Sequence, residues 1–425
     1  MRRNTSISLL AVGHACVDIY QGAVAALIPF FVAERDYTYA VASGIVLAAS
    51  LLSSVAQPVF GALTDRWAMP WLLPVGTLLG GVGIALSGLS GSYGLTLFFV
   101  AVSGIGVAAY HPESARVARL AGEGSHSAMG WFSLGGNIGF ALAPLMVSAV
   151  IGHGSLRWTP VLVLPALAGA ALCVPVLRML ARPEAGGSRT EAPRGADDVA
   201  SFVKLSLAVV FRSIVFTGLS TFISLYSQQR MQGSTTAGTI ALFLLFLGGA
   251  AGSVLGGSLA NRYDRVRVSR WSYLLSVAAV TGVLYAPGPA MFLFVALTSV
   301  GLYVPFSLQV TLSQDYLPSR IGTASGVTLG LTVSIGGLIS PLLGHLADST
   351  SLKTALTPLI AMPALSWLLF RALPEPTAPK PQADAPTPAP APASAPAPSQ
   401  PGLIEHPVHR HDEKRPVCGR PGDDG

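Results

Sequence analysis

The chain has 425 residues, of which 51% are hydrophobic and only 11% carry a charged side chain. Soluble domains carry roughly a quarter charged residues, so this composition excludes an ordinary soluble protein. Runs of about 18 to 28 residues with no charge or one are long enough to cross a hydrocarbon core of about 30 Å. The sequence therefore predicts a multi-pass membrane protein, and the formal net charge of +6 does not imply a nucleic-acid partner.

Twelve such runs predict an all-α protein with twelve transmembrane helices in two six-helix bundles. They are centred on residues 6–33, 38–64, 71–90, 94–119, 125–151 and 157–181, and then on 202–229, 236–261, 267–286, 290–316, 321–347 and 352–373. The predicted parts are an N-terminal bundle (1–182), a cytoplasmic linker (183–200), a C-terminal bundle (201–373) and a tail (374–425). Because the tail is rich in Pro and Ala, we expect it to be disordered.

Lys and Arg residues are distributed unequally between the two sides of the predicted bundle. With the N-terminus inside, and leaving aside the tail and the deeply placed Arg212, sixteen fall on the cytoplasmic side and four on the outer side: Arg35, Arg157, Arg230 and Lys353. Cytoplasmic loops carry the excess of positive charge in membrane proteins. The sequence therefore predicts that both termini are cytoplasmic.

The first predicted helix carries three polar side chains on one face, because His14, Asp18 and Gln21 are spaced i, i+4, i+7. Asp18 lies roughly 17 Å into the helix, near the middle of the bilayer. An ionisable group there costs on the order of 3 kcal/mol, so it should face a wet cavity or a partner. A carboxylate beside a histidine suits a proton carrier. We expect Asp18 to carry a proton with help from His14; a packing cluster without a transport role is the alternative.

A heptapeptide occurs twice in the chain, as Gly61-Ala-Leu-Thr-Asp-Arg-Trp67 and as Gly257-Ser-Leu-Ala-Asn-Arg-Tyr263, 196 positions later (257 − 61). Each copy ends the second long apolar segment of its half. A period of this length in the same context indicates two copies of one helical module.

Glycine faces followed by a proline also recur, in the fifth and eleventh predicted helices. Gly135 and Gly139 precede Pro144, and Gly336 precedes Pro341, so that the two prolines are 197 positions apart (341 − 144). Glycines let two backbones approach closely, and a proline supplies a bend. These residues suit helices that rock against each other, although plain close packing explains the glycines equally well.

The fourth predicted helix carries Tyr110, His111, Glu113 and Arg116. Glu113 and Arg116 are three residues apart and can neutralise each other. Alternatively, Arg116 is a fork-shaped donor for an anionic phosphonate-like group, with His111 and Tyr110 beside it. Both interpretations stay open, and Glu113 is a further candidate for proton coupling.

Further candidates for substrate binding are spread over three other predicted helices. Asn137 sits in the glycine face of the fifth helix, and could bind substrate or join helices. Arg212 is the lone deeply placed cation of the seventh, although it could also reach back toward the cytoplasm. Tyr226 follows it in the same helix, and Gln309 lies in the tenth, where a gate contact is as reasonable as substrate binding.

Motifs for nucleotide-driven or enzymatic chemistry are absent from the sequence. It contains no phosphate-binding G-x-x-x-x-G-K-[ST] loop, no His-Glu-x-x-His and no nucleophile elbow. The tail holds His406, His409, His411 and Cys418 without the spacing of a metal site. We therefore expect no cofactor, no bound metal and no enzymatic activity, and transport energy from an ion gradient or from the substrate's own gradient.

Twelve helices in two halves, with G-x-L-x-D-R after the second helix and a weaker copy after the eighth, resemble the major facilitator superfamily of secondary transporters over about residues 5–373. The resemblance implies that Asp65 and Arg66, in the motif that begins at Gly61, brace the end of helix 2 against helices 4 and 11. Arg116 or Arg119 would be the partner on helix 4. The usual Gly and basic pair after the motif's Arg are replaced by Ala68-Met-Pro70.

Several separated segments further resemble the fosmidomycin resistance protein subfamily of drug exporters. They are residues 64–76, Gly13-His-Ala-Cys-Val-Asp18, Ala109-Tyr-His-Pro-Glu-Ser-Ala-Arg116, Gly135-Gly-Asn-Ile-Gly139, Leu317-Pro-Ser-Arg-Ile-Gly322 and the stretch from Gly336 to Asp348. Their agreement in order implies export of a small polar or anionic compound, such as a fosmidomycin-like phosphonate or another drug.

The expected mechanism is alternating access in exchange for protons, by a monomer that spans the inner membrane of a bacterium several times. The expected partners are the small-molecule substrate, protons and the lipid bilayer. The alternative is export or import of an endogenous metabolite, such as a sugar, an organic acid or a metallophore.

Overall fold

The protein is almost entirely helical in the computed structural model, which describes residues 3–122, 126–152, 154–180 and 196–376. No strand occurs within these ranges. The helices are α1 (Arg3–Arg35), α2 (Tyr39–Arg66), α3 (Leu72–Ser87), α4 (Tyr93–Ala121), α5 (His126–Ile151), α6 (Leu164–Leu180), α7 (Val199–Arg230), α8 (Thr235–Ala260), α9 (Arg265–Tyr285), α10 (Ala290–Tyr316), α11 (Ile321–Ser349), α12 (Leu352–Leu356) and α13 (Ala361–Arg371).

The prediction of twelve transmembrane helices is confirmed. A 3₁₀ turn at Thr357–Ile360 joins α12 and α13 into the twelfth crossing, and another at Leu156–Val163 leads into α6. Nine segments of the described chain are apolar over at least 18 residues, enough to cross a membrane by length and composition. The short helix α3 is apolar as well.

Helix pairing repeats when the numbering of crossings is shifted by six. In the first half α1 packs on α5, α2 on α4 and α3 on α6; in the second α7 packs on α11, α8 on α10 and α9 on α13. The halves meet through α2 with α11 and through α5 with α8. The helix caps repeat too, because the side chains of Thr38 and Ser234 cap α2 and α8 at positions 196 apart (234 − 38). The sequence period therefore corresponds to a structural repeat.

The glycines of α5 and α11 lie at helix contacts. A Cβ atom on Gly135 or Gly139 would collide with the backbone carbonyl of Ala11 or Ala15 in α1. A Cβ on Gly336 would collide with the side chain of Thr217 in α7. Close approach of backbones is what small residues provide inside membranes.

The end of the bundle that the charge bias assigns to the outside, here called the outer end, is closed. The carboxylate of Asp348 in α11 accepts hydrogen bonds from the backbone N–H groups of Tyr39 (2.8 Å) and Ala40 (2.9 Å) at the start of α2. The amide of Gln229 in α7 donates to the hydroxyl of Tyr39 at 2.9 Å. These bonds, here called the outer clasp, join the two halves and satisfy N–H groups that a helix start leaves unpaired.

The opposite, inner end is loosely packed. Among the described side chains of α2 from Leu51 to Arg66, only Thr64 is buried. Cβ atoms built on Gly61 or Gly257, the first residues of the repeated heptapeptide, would meet nothing within 4 Å. Among the described side chains, the hydrogen bonds that join the halves therefore lie at the outer end, whereas the inner part of α2 is mostly exposed.

The start of α7 is tied to the second half by two aspartates. Asp198 caps α7 by accepting from the N–H of Ser201 at 3.0 Å, and its own N–H donates to the carbonyl of Tyr316 at 2.7 Å. The hydroxyl and N–H of Ser319 donate to the carboxylate of Asp197, and these bonds lower the pKa of Asp197. The predicted linker and tail lie mostly in residues 181–195 and 377–425, outside the described ranges.

Candidate functional site

A cavity of about 380 Å³ lies between the two halves. Its wall in the first half carries polar groups from α1, α4 and α5, among them five predicted site residues: His14, Asp18, Gln21, His111 and Asn137. Its wall in the second half is largely aromatic, with Phe216, Phe246, Tyr303 and Phe306. The cavity therefore pairs a polar, ionisable wall with an apolar one, as small-molecule sites commonly do.

Asp18 lies between two histidines at the polar wall. Its Oδ2 is 3.2 Å from Nε2 of His14, one turn earlier in α1, and its Oδ1 is 3.1 Å from Nε2 of His111 in α4. The side chains of Asp18 and His14 are 7% and 9% exposed, whereas that of His111 is 24% exposed. His111 is therefore the member of this cluster that a molecule in the cavity reaches most easily.

Both imidazole rings are held through their other nitrogen. Nδ1 of His14 lies 2.9 Å from the carbonyl of Phe132 in α5, and Nδ1 of His111 lies 2.8 Å from the carbonyl of Val107. The ring of Phe132 also stacks on His14, with 4.2 Å between centroids. Because a carbonyl oxygen can only accept, Nδ1 carries the hydrogen in both rings, and Nε2 faces the carboxylate.

This arrangement limits how protons are placed in the cluster. A neutral imidazole with its hydrogen on Nδ1 presents a lone pair at Nε2, and a carboxylate oxygen presents lone pairs as well. Each of the two contacts with Asp18 therefore needs a proton between its atoms. With both protons present the three groups carry one net positive charge, and after loss of one they are neutral. The cluster can thus take up and release a proton beside the cavity.

The same three side chains could hold a metal ion. They offer two imidazole nitrogens and a carboxylate oxygen within 4.8 Å of one another. Nitrogen-rich sets of this kind suit divalent transition metals, and ring N–H groups bonded to backbone carbonyls are common around such sites. A metal would compete with the protons for the same lone pairs.

Glu113 and Arg116 contact each other in α4. Nε of Arg116 donates to Oε2 of Glu113 at 2.9 Å, and a second guanidinium nitrogen contacts Oε1. Glu113 is fully buried. The structure thus shows the pairing that the spacing allowed, and neither side chain contributes to the described cavity wall. Tyr110 is also fully buried, behind the wall, with its ring 6.0 Å from that of His14.

Arg212 lies behind the aromatic wall. It is 1% exposed, and its guanidinium carbon is 5.0 Å from the ring centroid of Phe306 and 6.0 Å from that of Tyr303. Both rings line the cavity. The positive charge therefore acts on the cavity through the faces of two aromatic rings rather than by direct contact with its contents.

Two further predicted residues take part in packing within the second half. The hydroxyl of Tyr226 donates to the carbonyl of Leu284 at 3.0 Å and accepts from Arg230. The amide of Gln309 donates to the hydroxyl of Tyr273 at 2.5 Å. Neither Tyr226 nor Gln309 belongs to the cavity wall described above.

The predicted gate residues at the inner ends are not brought together by any described contact. Arg66 and Arg119 are exposed, Gly61 has open space around it, and the side chain of Asp65 is outside the described set. The brace between helices 2 and 4 stays a prediction. Pro144 and Pro341 lie inside α5 and α11 respectively.

Two features of the site were not predicted from the sequence. His111 contacts Asp18 across 93 positions (111 − 18), whereas only His14 was expected as its helper. The aromatic wall of the second half was not expected either, because apolar residues that face lipid, the core or a cavity are alike in a single sequence. Among its members, only the spacing of Tyr303 and Phe306 around Pro305 offers a local signal.

Comparison with known proteins gives consistent matches over most of the chain. Residues 10–341 match the family model of the Major Facilitator Superfamily. The Fosmidomycin resistance protein of Escherichia coli K12 is 32% identical over 376 residues, covering 84% of this chain and 91% of that protein. YfnC of Bacillus subtilis 168, an uncharacterised MFS-type transporter, is 29% identical over 380 residues, covering 85% and 91%.

The fold is likewise similar to solved structures. A bacterial homologue of the human lysosomal transporter Spinster, in an inward-facing and occupied conformation, superposes with a TM-score of 0.74. The two sequences are 16% identical, and the match covers 87% of this chain and 96% of the other. At this identity the likeness shows the fold alone.

Proposed function

The chain belongs to the major facilitator superfamily of membrane transporters, and we propose that it exports a small anionic compound in exchange for protons. The sequence resemblance to this superfamily and to the fosmidomycin resistance protein is thereby confirmed, and the family is one of transporters rather than enzymes. The observation that carries the proposal is Asp18, held between His14 and His111 at the wall of a cavity between the halves.

The exchange follows from competition for the same carboxylate. In the inward-open state, the anionic group of a substrate binds the partly exposed imidazolium of His111, while a substrate hydroxyl donates to Asp18. After the halves rock, a third proton, from outside, takes the lone pair of Asp18 that the substrate hydroxyl occupied; the net charge of the cluster rises from +1 to +2, and the substrate leaves. Return to the inward-open state releases that proton inside. Proton and substrate thus alternate at Asp18, which is what antiport requires.

The relative's printed name supports the choice of substrate class. Fosmidomycin is a phosphonate, and a cluster that carries one positive charge suits an anionic group of this type. The aromatic wall with Arg212 behind it adds positive potential and apolar surface on the opposite side. We therefore propose a phosphonate or similar anionic drug as substrate, and the bacterial inner membrane as location.

We expect Asp18→Asn to reduce pH-driven transport to the level of protein-free vesicles, because an amide cannot cycle a proton at this position. The measurement is uptake of labelled fosmidomycin by proteoliposomes with an imposed pH gradient. Substrate exchange at equal pH should persist, since the amide oxygen still accepts from substrate, and this shows that the variant is folded. Asp36→Asn, an exposed aspartate outside the cavity, is the matched control. Undiminished pH-driven transport by Asp18→Asn contradicts Asp18 as the proton carrier.

A second candidate is export of an endogenous metal-chelating metabolite, and the metal-like geometry of the same cluster favours it. An exporter-deficient bacterial host distinguishes the two. If the wild-type chain raises tolerance to phosphonate antibiotics and Asp18→Asn does not, the drug proposal stands. If tolerance is unchanged while labelled metallophore is exchanged in counterflow, the metabolite is the substrate.

A further inference from the structure

A groove on the surface of the second half lies between α8, α9 and α10, away from the central cavity. Its volume is about 450 Å³. It is lined by Leu255, Leu259, Tyr263, Arg267, Val268, Trp271, Ser272, Leu275, Val300 and Val304. We propose that this groove, here called the α9 groove, binds an anionic phospholipid.

The walls of the α9 groove suit an acyl chain. Val268 and Val304 form its buried floor and pack on each other in a small apolar cluster. Leu255 and Leu275 are 46% and 39% exposed on its sides. A concave apolar surface on a membrane helix bundle gives an acyl chain more contact than the flat surface around it, and therefore favours a bound lipid over a passing one.

A cation without an acidic partner stands at the mouth of the groove. Three arginines lie in the first two turns of α9, and two of them already have partners. Arg265 contacts Asp315 (2.6 Å) and Glu375 (2.9 Å), and Arg270 donates to the carbonyl of Phe370 (3.0 Å). Arg267 is exposed, lines the groove, and forms no ion pair with any residue in the described ranges. A guanidinium in this position matches the geometry of a phosphate.

Aromatic residues place the mouth of the groove at the level of lipid headgroups. Trp271, 65% exposed, follows Arg267 by one helical turn, and Tyr263, which also lines the groove, precedes Arg267 by four positions. Trp and Tyr concentrate at membrane interfaces, and the charge bias assigns this end of α9 to the cytoplasmic leaflet. Basic pockets between helices on that side are typical sites for anionic headgroups.

The first half of the chain can be compared with the second at the α9 groove, and it has no equivalent basic site. The repeat offset is 196 residues, so the positions equivalent to Arg265, Arg267 and Arg270 in the first half are 69, 71 and 74. They hold Met, Trp and Pro. The repeat alone therefore does not require these arginines. Their charge belongs to the second half only, beside the groove.

The test uses the full-length protein purified in a neutral detergent. Phosphatidylglycerol should raise its thermal unfolding temperature and remain bound in native mass spectrometry, whereas phosphatidylcholine should do neither. We expect Arg267→Gln to weaken the apparent affinity for phosphatidylglycerol about fivefold, and Arg267→Lys to weaken it less. Arg262→Gln removes the same charge from an exposed position outside the groove, so it should leave the affinity unchanged.

A second variant tests the groove without changing its charge. Leu255→Trp fills the apolar space and should weaken binding while Arg267 is intact. Equal loss in Arg267→Gln and Arg262→Gln would overturn the proposal in favour of diffuse surface attraction. Equal affinity for phosphatidylcholine would overturn it as well, and so would a temperature shift reproduced by soluble glycerol phosphate, which has no acyl chain.

Discussion

The state of Asp18 depends on atoms that its own helix does not supply. The carbonyls of Phe132 and Val107 fix which nitrogen of each histidine carries its hydrogen, and so decide that Nε2 faces the carboxylate. The proposed proton carriage therefore belongs to the cluster of Asp18, His14 and His111 rather than to one residue. Variants of any of the three should alter transport in different ways.

We expect His111→Asn to weaken binding of an anionic substrate about tenfold or more, because a hydrogen bond to a charged group contributes about 1.5 to 3 kcal/mol. His111 is the most accessible side chain of the cluster and is a cation when protonated, whereas Asn is neutral. Calorimetric titration of the purified protein with fosmidomycin measures the change. His345→Asn, an exposed histidine of α11, is the control. Equal affinities for the two variants contradict the assignment.

At the scale of whole helices, the close contact between α1 and α5 depends on glycines that lie on one face of α5. Gly135 and Gly139 of α5 leave room only for the backbone of α1, which carries His14 and Asp18. The position of the ionisable cluster relative to α5 is therefore set by how closely these two helices approach. A larger side chain at this contact should shift α1 and with it the cluster.

Gly139→Ala should lower the free energy of unfolding by about 1 to 3 kcal/mol, because its Cβ collides with the carbonyl of Ala15. Thermal unfolding in detergent measures this. Gly130→Ala on the same helix is the control, since its Cβ meets nothing within 4 Å, and it should be neutral or slightly stabilising. If both variants unfold at the same temperature, the α1–α5 contact is looser than described.

The sequence predicted the helices more completely than it predicted which side of each helix faces the cavity. The lengths of the apolar runs predicted each crossing, and the 196-residue period predicted two copies of one helical module. The side chains that face the cavity were harder, because lipid and core are equally apolar and leave no hydrophobic contrast between faces. Arg212 illustrates this: its depth suggested a cavity ligand, whereas Tyr303 and Phe306 cover it.

At the scale of the whole molecule, the outer clasp is the contact that a rocking motion must break. Asp348 accepts two backbone N–H groups at the start of α2 and places a negative charge at a helix N-terminus. These bonds join the halves at the outer end, whereas the described side chains of the inner part of α2 are mostly exposed. They should therefore stabilise the inward-open state relative to the outward-open one.

Asp348→Asn should shift this equilibrium by about 1 to 2 kcal/mol toward the outward-open state, because one acceptor and the charge are lost. A cysteine placed at Thr217 in the cavity wall, in a background without other cysteines, reports the shift. An impermeant thiol reagent added outside should label it about tenfold faster. Asp36→Asn is the control at the same end. Equal labelling rates would show that the outer clasp does not limit opening.

Hydrogen bonds of Asp197 and Asp198 attach the first turn of α7 to the end of α10 and to the turn at Ser319. From Asp197 onward the chain is therefore hydrogen-bonded to the second half. For protein engineering, a reporter domain inserted before Asp197 leaves these hydrogen bonds of α7 intact, whereas one inserted between Asp198 and Val199 removes the N-terminal cap of α7.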